Sequence, residues 1–482
     1  MRIAPQLWRR LRKNARAKPS GSAIFVLAVI WVCFIIGGYQ APEQSESDAF
    51  DAKAQDSALL AWDRIYRVNS ALDSQAAWMR RLMDHEPALD LLEQACAELS
   101  DLWSQRQLDR RGCTTLAVLE QRLFEEKPEE LAADDQEQES ADAEPELVFD
   151  VEPFVERSLS QHRWRTQQWR RWEQRFQSND VFWWEVEYVE KKARAAGIDL
   201  LDDEIAAQKA RNERLLQRTM LAQCGTTGLF VAGMFCLPWG LRRIAAGWKS
   251  VRAERVVRYT HRISFSLILL WLLASEQVNN LLLDLLSSWA TPWQQDWWWI
   301  VVTDSLWRVL PTMVLLWFFY RKREWIIRSF GLNQRPQWSI ILSLYALLMI
   351  LNFALNAIMS AWGSDDSSFQ LDPMENGWRG LAYGMISACV LAPVMEEFIY
   401  RGFLFHTLSR KTGFWIAALL SSLVFAVSHF YDLYGTISVG LCGLATALAY
   451  YCTRSLSQAI LLHAIYNVSI TIPGWLLFHM DP

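Results

Sequence analysis

Residues that can accept or donate protons lie inside three apolar stretches near the C-terminus of this 482-residue chain. Six of them are candidates for chemistry: Glu396, Glu397, Arg401, His429, His463 and Asn467. An ionisable side chain at membrane depth costs roughly 2.5–3.5 kcal/mol even on a lenient insertion scale. Because a chain seldom keeps several such groups without using them, the cluster indicates an active or binding site.

In the first stretch, the spacing of the residues indicates different roles for the two glutamates. Glu396 and Glu397 are adjacent, so on a helix their side chains point about 100° apart. Glu397 and Arg401 are four residues apart on one helix face, where they can form an ion pair. Such a pair neutralises one carboxylate and leaves Glu396 able to act as a base.

Counting residues from a predicted turn at 411–413 compares the depths of these groups in the membrane. Glu396 precedes Thr412 by 16 residues and His429 follows it by 17. At about 1.5 Å per helical residue the two lie at nearly the same depth. His463 comes only five residues after the next predicted turn at 454–458, so the count does not bring it to that depth. Either the helix at 436–452 is short and tilted, or the chain is re-entrant there.

A glutamate beside a histidine in apolar surroundings suits general-base activation of water, because desolvation raises the pKa of the carboxyl group. His463 and Asn467 share a face of the last span and can donate hydrogen bonds to the oxyanion of a tetrahedral intermediate. Alternatively, a Zn2+ ion held by Glu396, His429 and His463 would polarise water and a carbonyl group. No His-Glu-x-x-His or Gly-x-Ser-x-Gly sequence competes with these readings.

The order of these motifs resembles that of the CPBP intramembrane proteases. Glu-Glu-x-x-x-Arg comes first, then Phe-x-x-x-His from Phe425 to His429, then His-x-x-x-Asn from His463 to Asn467. The family includes type II CAAX prenyl endopeptidases, bacteriocin-processing and immunity proteins, and lysostaphin-resistance-like proteins. The resemblance covers about residues 378–478, and all three motifs in order form a far more specific pattern than any one alone.

The resemblance implies a role for each of the six residues. They are Glu396 as catalytic base, Glu397 and Arg401 as its supporting pair, His429 and His463 as catalytic or metal-site histidines, and Asn467 as an oxyanion-hole donor. Both zinc-dependent and metal-free glutamate mechanisms are proposed for the family, so the resemblance leaves Zn2+ open.

Apolar runs of membrane length, about 20 residues, occur once near the N-terminus and then from about residue 219 onward. Nine are candidates: 23–39, 220–240, 263–288, 299–320, 338–361, 379–395, 414–430, 436–452 and 459–478. A cleaved signal peptide competes for the first run, but the cleavage site at 37–41 is weak, which favours an uncleaved anchor. The predicted fold is therefore an all-α polytopic membrane helix bundle.

The charges of the short loops predict the orientation of this bundle. Loop 241–262 carries seven Lys and Arg residues and loop 321–335 carries five, whereas loops 290–298 and 362–378 carry none. We therefore expect a cytoplasmic N-terminus, and residues 42–218 on the opposite side. In a bacterium this corresponds to the inner membrane, with the insert in the periplasm.

The insert 42–218 has helical apolar periodicity and is interrupted by an acidic stretch at 125–147, which is typical of a disordered linker. It carries no catalytic motif, so a spacer and a docking domain for a substrate or protein partner are both open. Cys96 and Cys113 could pair in an oxidising compartment or remain two thiols. The predicted domains are 1–41, with the first span, the extracytoplasmic 42–218, spans 2–5 at 219–377, and the catalytic core 378–482.

The leading hypothesis is an intramembrane endopeptidase that hydrolyses a peptide bond with water activated by Glu396. Its partners would be a peptide or protein substrate and the lipid bilayer. The net charge of −5 sums basic loops and an acidic insert, so it gives no indication of nucleic-acid binding. The alternative is a non-catalytic membrane receptor, scaffold or immunity protein that binds through the same cluster. A transporter is less favoured, because the chain shows no internal repeat.

Overall fold

The computed structural model describes the residues 52–73, 75, 88–104, 110–126, 172–176, 181–196, 201–253, 297–319, 327, 330–361, 377–429, 431 and 433–479. These residues contain helices and turns but no strand, which confirms the predicted all-α class. The predicted spans 23–39 and 263–288, and the linker 125–147 except its first two residues, lie outside them.

Seven helices precede the candidate site: α1 Ala52–Asp73, α2 Ala88–Ser104, α3 Arg110–Glu126, α4 Trp183–Ala196, α5 Asp202–Ala253, α6 Trp297–Phe319 and α7 Trp338–Ala361. The remaining α-helices are α8 Gly377–Ile386, α9 Ala392–Glu396, α10 His406–Thr412, α11 Phe414–Val427, α12 Leu433–Thr453 and α13 Leu456–Gly474. Three π-helical stretches join them: Ser387–Leu391, Glu397–Phe405 and Trp475–His479.

Five described helical segments are long and apolar enough to cross a membrane: Asp202–Ser250, Trp338–Met359, Gly377–Ser409, Leu433–Thr453 and Leu456–His479. The predicted span 414–430 is instead the shorter apolar helix α11, because the chain turns at Ser428 and His429. The predicted start of the second span at residue 219 falls inside α5, which is one continuous helix of 52 residues. The total of nine spans stays a prediction.

The described residues form two compact units. The first comprises 223–361 and 378–473 and contains the candidate site. In it, α5 approaches α7 closely at two glycines seven residues apart. A Cβ at Gly233 would collide with the carbonyl of Leu342, and one at Gly240 would collide with Ser343. Small residues at such positions let membrane helices pack backbone against backbone.

Pro393 explains the first π-helical stretch of the helical segment 377–412. A proline inside a helix has no N–H to donate, and its ring clashes with the carbonyl four residues earlier. Directly before Pro393, the N–H of Ala392 donates to Ser387, five residues back, so the chain there has the wider π turn. Such turns are frequent at functional sites. This one immediately precedes the two glutamates.

The second unit contains α1 to α4, the first part of α5, and residues 474–479. Its core is built on aromatic and aliphatic side chains such as Trp184, Tyr188 and Leu92. Arg67 is buried there and bonds to Asp63, Gln208, Asn212 and the carbonyl of Val181. These bonds join α1 to α5 and to the start of α4. Because the acceptors lie on α1, on α5 and just before α4, one cation organises three helices.

Cys96 and Cys113 lie on α2 and α3, and neither forms a disulfide in the structure. Burial and the neighbouring carboxylate of Glu120 raise the pKa of the Cys96 thiol to about 11. Because the thiolate is the species that attacks a disulfide, this thiol is slow to exchange near neutral pH. The structure thus supports the reading of two thiols packed in a helical domain.

Replacing Arg67 by Ala is expected to destabilise the second unit. The change leaves the buried Asp63 carboxylate without its cation, and breaking a buried pair costs about 3–5 kcal/mol. Hydrogen exchange of the full-length protein in detergent should show that loss in the opening free energy of α1 and α4. The matched control is Arg194→Ala, because Arg194 pairs with Glu190 on the surface. The control should change the opening free energy by less than about 0.5 kcal/mol; equal effects would contradict this account.

Candidate active site

Glu397 and Arg401 form an ion pair inside the helical segment that follows Pro393. Nε of Arg401 lies 3.2 Å from Oε2 of Glu397, and both side chains are 0% exposed. Both belong to the π-helical stretch Glu397–Phe405. Because neither charge reaches solvent, each depends on the other, and removing one partner of such a pair costs about 3–5 kcal/mol.

The guanidinium of Arg401 is also held by an aromatic ring. Its Cζ atom lies 4.4 Å from the ring centroid of Phe425, a cation–π geometry. Gly443 on α12 provides the space, since a Cβ there would lie 2.9 Å from Nη2 of Arg401. None of the three guanidinium nitrogens has a hydrogen-bond partner among the described residues. The pair with Glu397 and the ring of Phe425 therefore carry the stabilisation of this charge.

His463 lies between the two glutamates. Its Nδ1 atom is 3.0 Å from Oε1 of Glu397, and its Nε2 atom is 3.8 Å from Oε2 of Glu396. The ring is buried and packs edge-on against Phe425, with centroids 5.7 Å apart. The imidazole therefore lies between the two carboxylates, with Nδ1 toward Glu397 and Nε2 toward Glu396.

His429 reaches Glu396 from the end of α11. Its Nδ1 atom is 2.7 Å from the carbonyl oxygen of Phe425, so Nδ1 carries the proton that this bond requires. Its Nε2 atom then has a lone pair, and it lies 3.9 Å from Oε2 of Glu396. The turn that presents the ring is fixed by a 2.8 Å bond between Tyr400 and Ser428.

Glu396 is about one-fifth exposed, unlike the fully buried Glu397. Its oxygens face three groups: His429 and His463 at Oε2, and Arg308 at Oε1, with Nη1 of Arg308 at 4.0 Å. Sequence reasoning missed Arg308. The signal was available, because Asp304 and Arg308 are an i,i+4 pair inside an apolar span, the pattern that singled out Glu397 and Arg401.

Asn467 lies one turn after His463 on α13. Its Nδ2 atom donates to the carbonyl of Ala388 at 2.6 Å, inside the first π-helical stretch. An amide nitrogen has two hydrogens, so this bond uses only one of them. The contact joins the last span to the helical segment that carries both glutamates.

In the structure, both His429 and His463 approach the carboxylate of Glu396. The residue count predicted this only for His429. The count assumed straight α-helices that start at one level. Residues 397–405 are π-helical instead, and the wider π turns advance less per residue. Phe405 also packs against Tyr450, with ring centroids 6.2 Å apart, so the end of α12 lies at the level of Phe405 and not at that of the turn at 411–413. The seven residues from Leu456 to His463 suffice to return to the level of the site.

The predicted Zn2+ site of Glu396, His429 and His463 is not supported by the geometry. Among the residues that the structure describes, no group of three His, Cys, Asp or Glu side chains could hold a metal ion. Nδ1 of His463 is engaged by Glu397, and Oε1 of Glu396 faces a guanidinium rather than an open position. Binding of Zn2+ by this protein stays a prediction.

Comparison with known proteins covers the same part of the chain. Residues 378–469 match the family model of the type II CAAX prenyl endopeptidase Rce1-like proteins. MroQ of Staphylococcus aureus (strain USA300), a membrane-embedded CAAX protease, is 25% identical over 135 residues, which are 27% of this chain and 54% of MroQ. YdiL of Bacillus subtilis (strain 168), a suspected membrane peptidase, is 31% identical over 88 residues, which are 18% of this chain and 36% of YdiL.

These findings support an integral membrane protein whose helical core resembles membrane proteases. More particularly, residues 378–469 are similar to the Rce1-like family, which confirms the resemblance seen in the motifs. The matched parts span 36% and 54% of the two relatives, so the likeness concerns this domain rather than the whole proteins. No solved structure matches the chain.

Replacing Gly443 by Ala should destabilise the site. The new Cβ would lie 2.9 Å from both Arg401 Nη2 and Ser422 Oγ, and overpacking of this kind costs about 1–3 kcal/mol. Thermal unfolding in detergent should therefore show a lower midpoint. Gly440→Ala, one turn earlier on α12, is the matched control, because its Cβ would meet Ala426 at an ordinary 3.6 Å. A midpoint for Gly443→Ala equal to that of the control would show that Arg401 does not need this space.

Proposed function

We propose that this protein is a membrane-embedded endopeptidase in which Glu396 activates the attacking water. The observation that carries the proposal is the convergence of two imidazole nitrogens on one carboxylate oxygen. Nε2 of His463 and Nε2 of His429 lie 3.8 and 3.9 Å from Oε2 of Glu396. These separations are too long for direct hydrogen bonds and suit a bridging water. The Rce1-like match of the surrounding domain supports the same class of reaction.

The hydrolysis needs one proton to be taken up and returned. The Glu396 carboxylate removes a proton from water while the water oxygen attacks the scissile carbonyl carbon. The C–N bond of the tetrahedral intermediate then breaks, and Glu396 passes the proton to the leaving amine. His429 accepts the second hydrogen bond of the water through Nε2, which orients the oxygen for attack. The products are a carboxylic acid and an amine, and the acid then loses its remaining proton to give a carboxylate and an ammonium group.

Negative charge on the intermediate is stabilised by His463 and Asn467 in this mechanism. In this proposal His463 donates from Nε2, the ring nitrogen that Glu397 does not engage. Asn467 contributes the amide hydrogen that Ala388 does not use. Glu397 and Arg401 do not contact the substrate, and they act by fixing His463 and the π-helical stretch. Preorganised donors of this kind account for a large share of catalysis in acyl transfer.

The substrate in this proposal is a peptide segment at or within the bilayer. MroQ is named as a CAAX protease and the family model as a prenyl endopeptidase, so a prenylated C-terminal peptide is the first substrate class to test. We further propose an inner-membrane location with a cytoplasmic N-terminus and a periplasmic insert. The loop charges support this location. In this proposal the insert docks a substrate or partner protein on that side.

Glu396→Gln should abolish cleavage while leaving the fold intact. Glutamine keeps the size of the side chain but cannot accept the proton from water. The purified protein in proteoliposomes would be offered two internally quenched peptides, one with a farnesylated cysteine before three C-terminal residues and one without the lipid. Mass spectrometry of the products locates the cleaved bond, and we expect a loss of at least about 10³-fold for a missing general base.

The conservative control is Glu375→Gln, an acidic residue outside the three motifs. It should cleave at the wild-type rate. Cleavage by Glu396→Gln at that rate would exclude this mechanism. A folded wild-type protein that binds both peptides and cuts neither would instead favour the non-catalytic receptor.

Asn467→Ala tests the donor role on the same peptides. Loss of one oxyanion donor is expected to lower kcat by about 10²–10³-fold with KM nearly unchanged. If Asn467 serves only to join α13 to Ala388, the variant should lose thermal stability, while kcat per folded molecule stays at the wild-type value. The two readouts therefore separate a chemical role from a structural one.

A further inference from the structure

The two oxygens of the Glu396 carboxylate have different neighbours. Oε2 faces the two histidines, whereas Oε1 lies 4.0 Å from Nη1 of Arg308. Arg308 comes from α6, whose residues lie outside the segment that matches the family model. The guanidinium that faces the proposed base Glu396 therefore belongs to a part of the chain that the family model does not match.

Arg308 is held in place by a chain of polar contacts. Its Nε atom donates to both carboxylate oxygens of Asp304, at 3.1 and 3.0 Å. Asp304 in turn accepts a 2.5 Å hydrogen bond from Ser387, at the start of the first π-helical stretch. Because Asp304 takes the Nε edge of the guanidinium, the Nη1 end extends toward Glu396.

The same face of α6 contacts the helical segment of the glutamates a second time. Thr312, one turn after Arg308, donates from Oγ1 to the carbonyl of Met395 at 3.3 Å. Met395 immediately precedes Glu396. Residues 304, 308 and 312 follow at intervals of four, so one face of a helix fixes Ser387, the Glu396 side chain and the backbone next to it.

We infer that Arg308 is a positioning residue for the hydrolysis proposed above, on which this inference rests. The terminal torsion of a glutamate is soft, so an unsupported carboxylate samples many orientations. Attraction between Nη1 and Oε1 selects the orientation in which Oε2 points between His429 and His463. Arg308 thus holds the base in the geometry that activates water, without contacting the water itself.

The test compares Arg308→Gln with Arg308→Lys on whichever of the two quenched peptides the wild-type protein cleaves. Arg308→Gln should lower kcat about 10²-fold, the effect of a misplacement of about 1 Å, with KM within about twofold of wild type. Lysine keeps the charge near Oε1 but loses the two-oxygen contact with Asp304, so it should recover about tenfold of that loss. Ser387→Ala, which removes one bond to Asp304, should give a smaller decrease in kcat of the same kind.

Two further measurements make the result decisive. The double variant Arg308→Gln, Glu396→Gln should be no slower than Glu396→Gln alone, because Arg308 acts only through that carboxylate. Arg379→Gln removes an exposed arginine from α8 and should keep the wild-type kcat. The inference would be overturned if Arg308→Gln had the wild-type kcat, or if Arg308→Lys were no faster than Arg308→Gln. In either case, cleavage that still depends on Glu396 would leave the proposed function intact. Failure of the wild-type protein to cleave would instead remove the proposed function itself.

Discussion

A buried pair of opposite charges, Glu397 and Arg401, constrains the rest of the membrane core. Both side chains are fully buried, so the surrounding helices must compensate two charges without solvent. Phe425 offers its ring to the guanidinium, Gly443 leaves space for it, and His463 bonds to the carboxylate. Three helices are therefore fixed relative to the helical segment 377–412, and the same contacts bring the catalytic candidates together.

Adjacent glutamates receive different tasks because their surroundings differ. Glu397 has a guanidinium and an imidazole in contact and no exposure, which suits a structural anion. Glu396 is partly exposed and faces two imidazole nitrogens at distances that admit water. Its remaining oxygen faces Arg308, so the proposed base and the buried carboxylate each lie beside a different cation. Arg401 forms an i,i+4 pair with Glu397, and Arg308 forms one with Asp304 on another helix.

Much of this site could be predicted from the sequence. Six residues in three ordered motifs indicated the candidate site, and helical spacing predicted the Glu397–Arg401 pair. Depth counting brought Glu396 near His429 because both arms of that hairpin are long helices with a short turn. The count failed for His463, since it could not foresee the π-helical stretch at 397–405. It also could not foresee Arg308, which reaches Glu396 only through the packing of α6 against a distant segment.

The sequence alone determined which segments lie in the lipid bilayer and which residue types each segment contains. Apolar runs set an all-α membrane fold, because backbone groups in lipid must be satisfied within a helix, and periodic polar residues marked the reactive segments. Only the tertiary structure decided which atoms meet. The partner of Oε1 and the engagement of Nδ1 of His463 by Glu397 both depend on helix packing. Packing joins residues as far apart in the chain as Arg308 and Glu396, and no local pattern encodes such contacts.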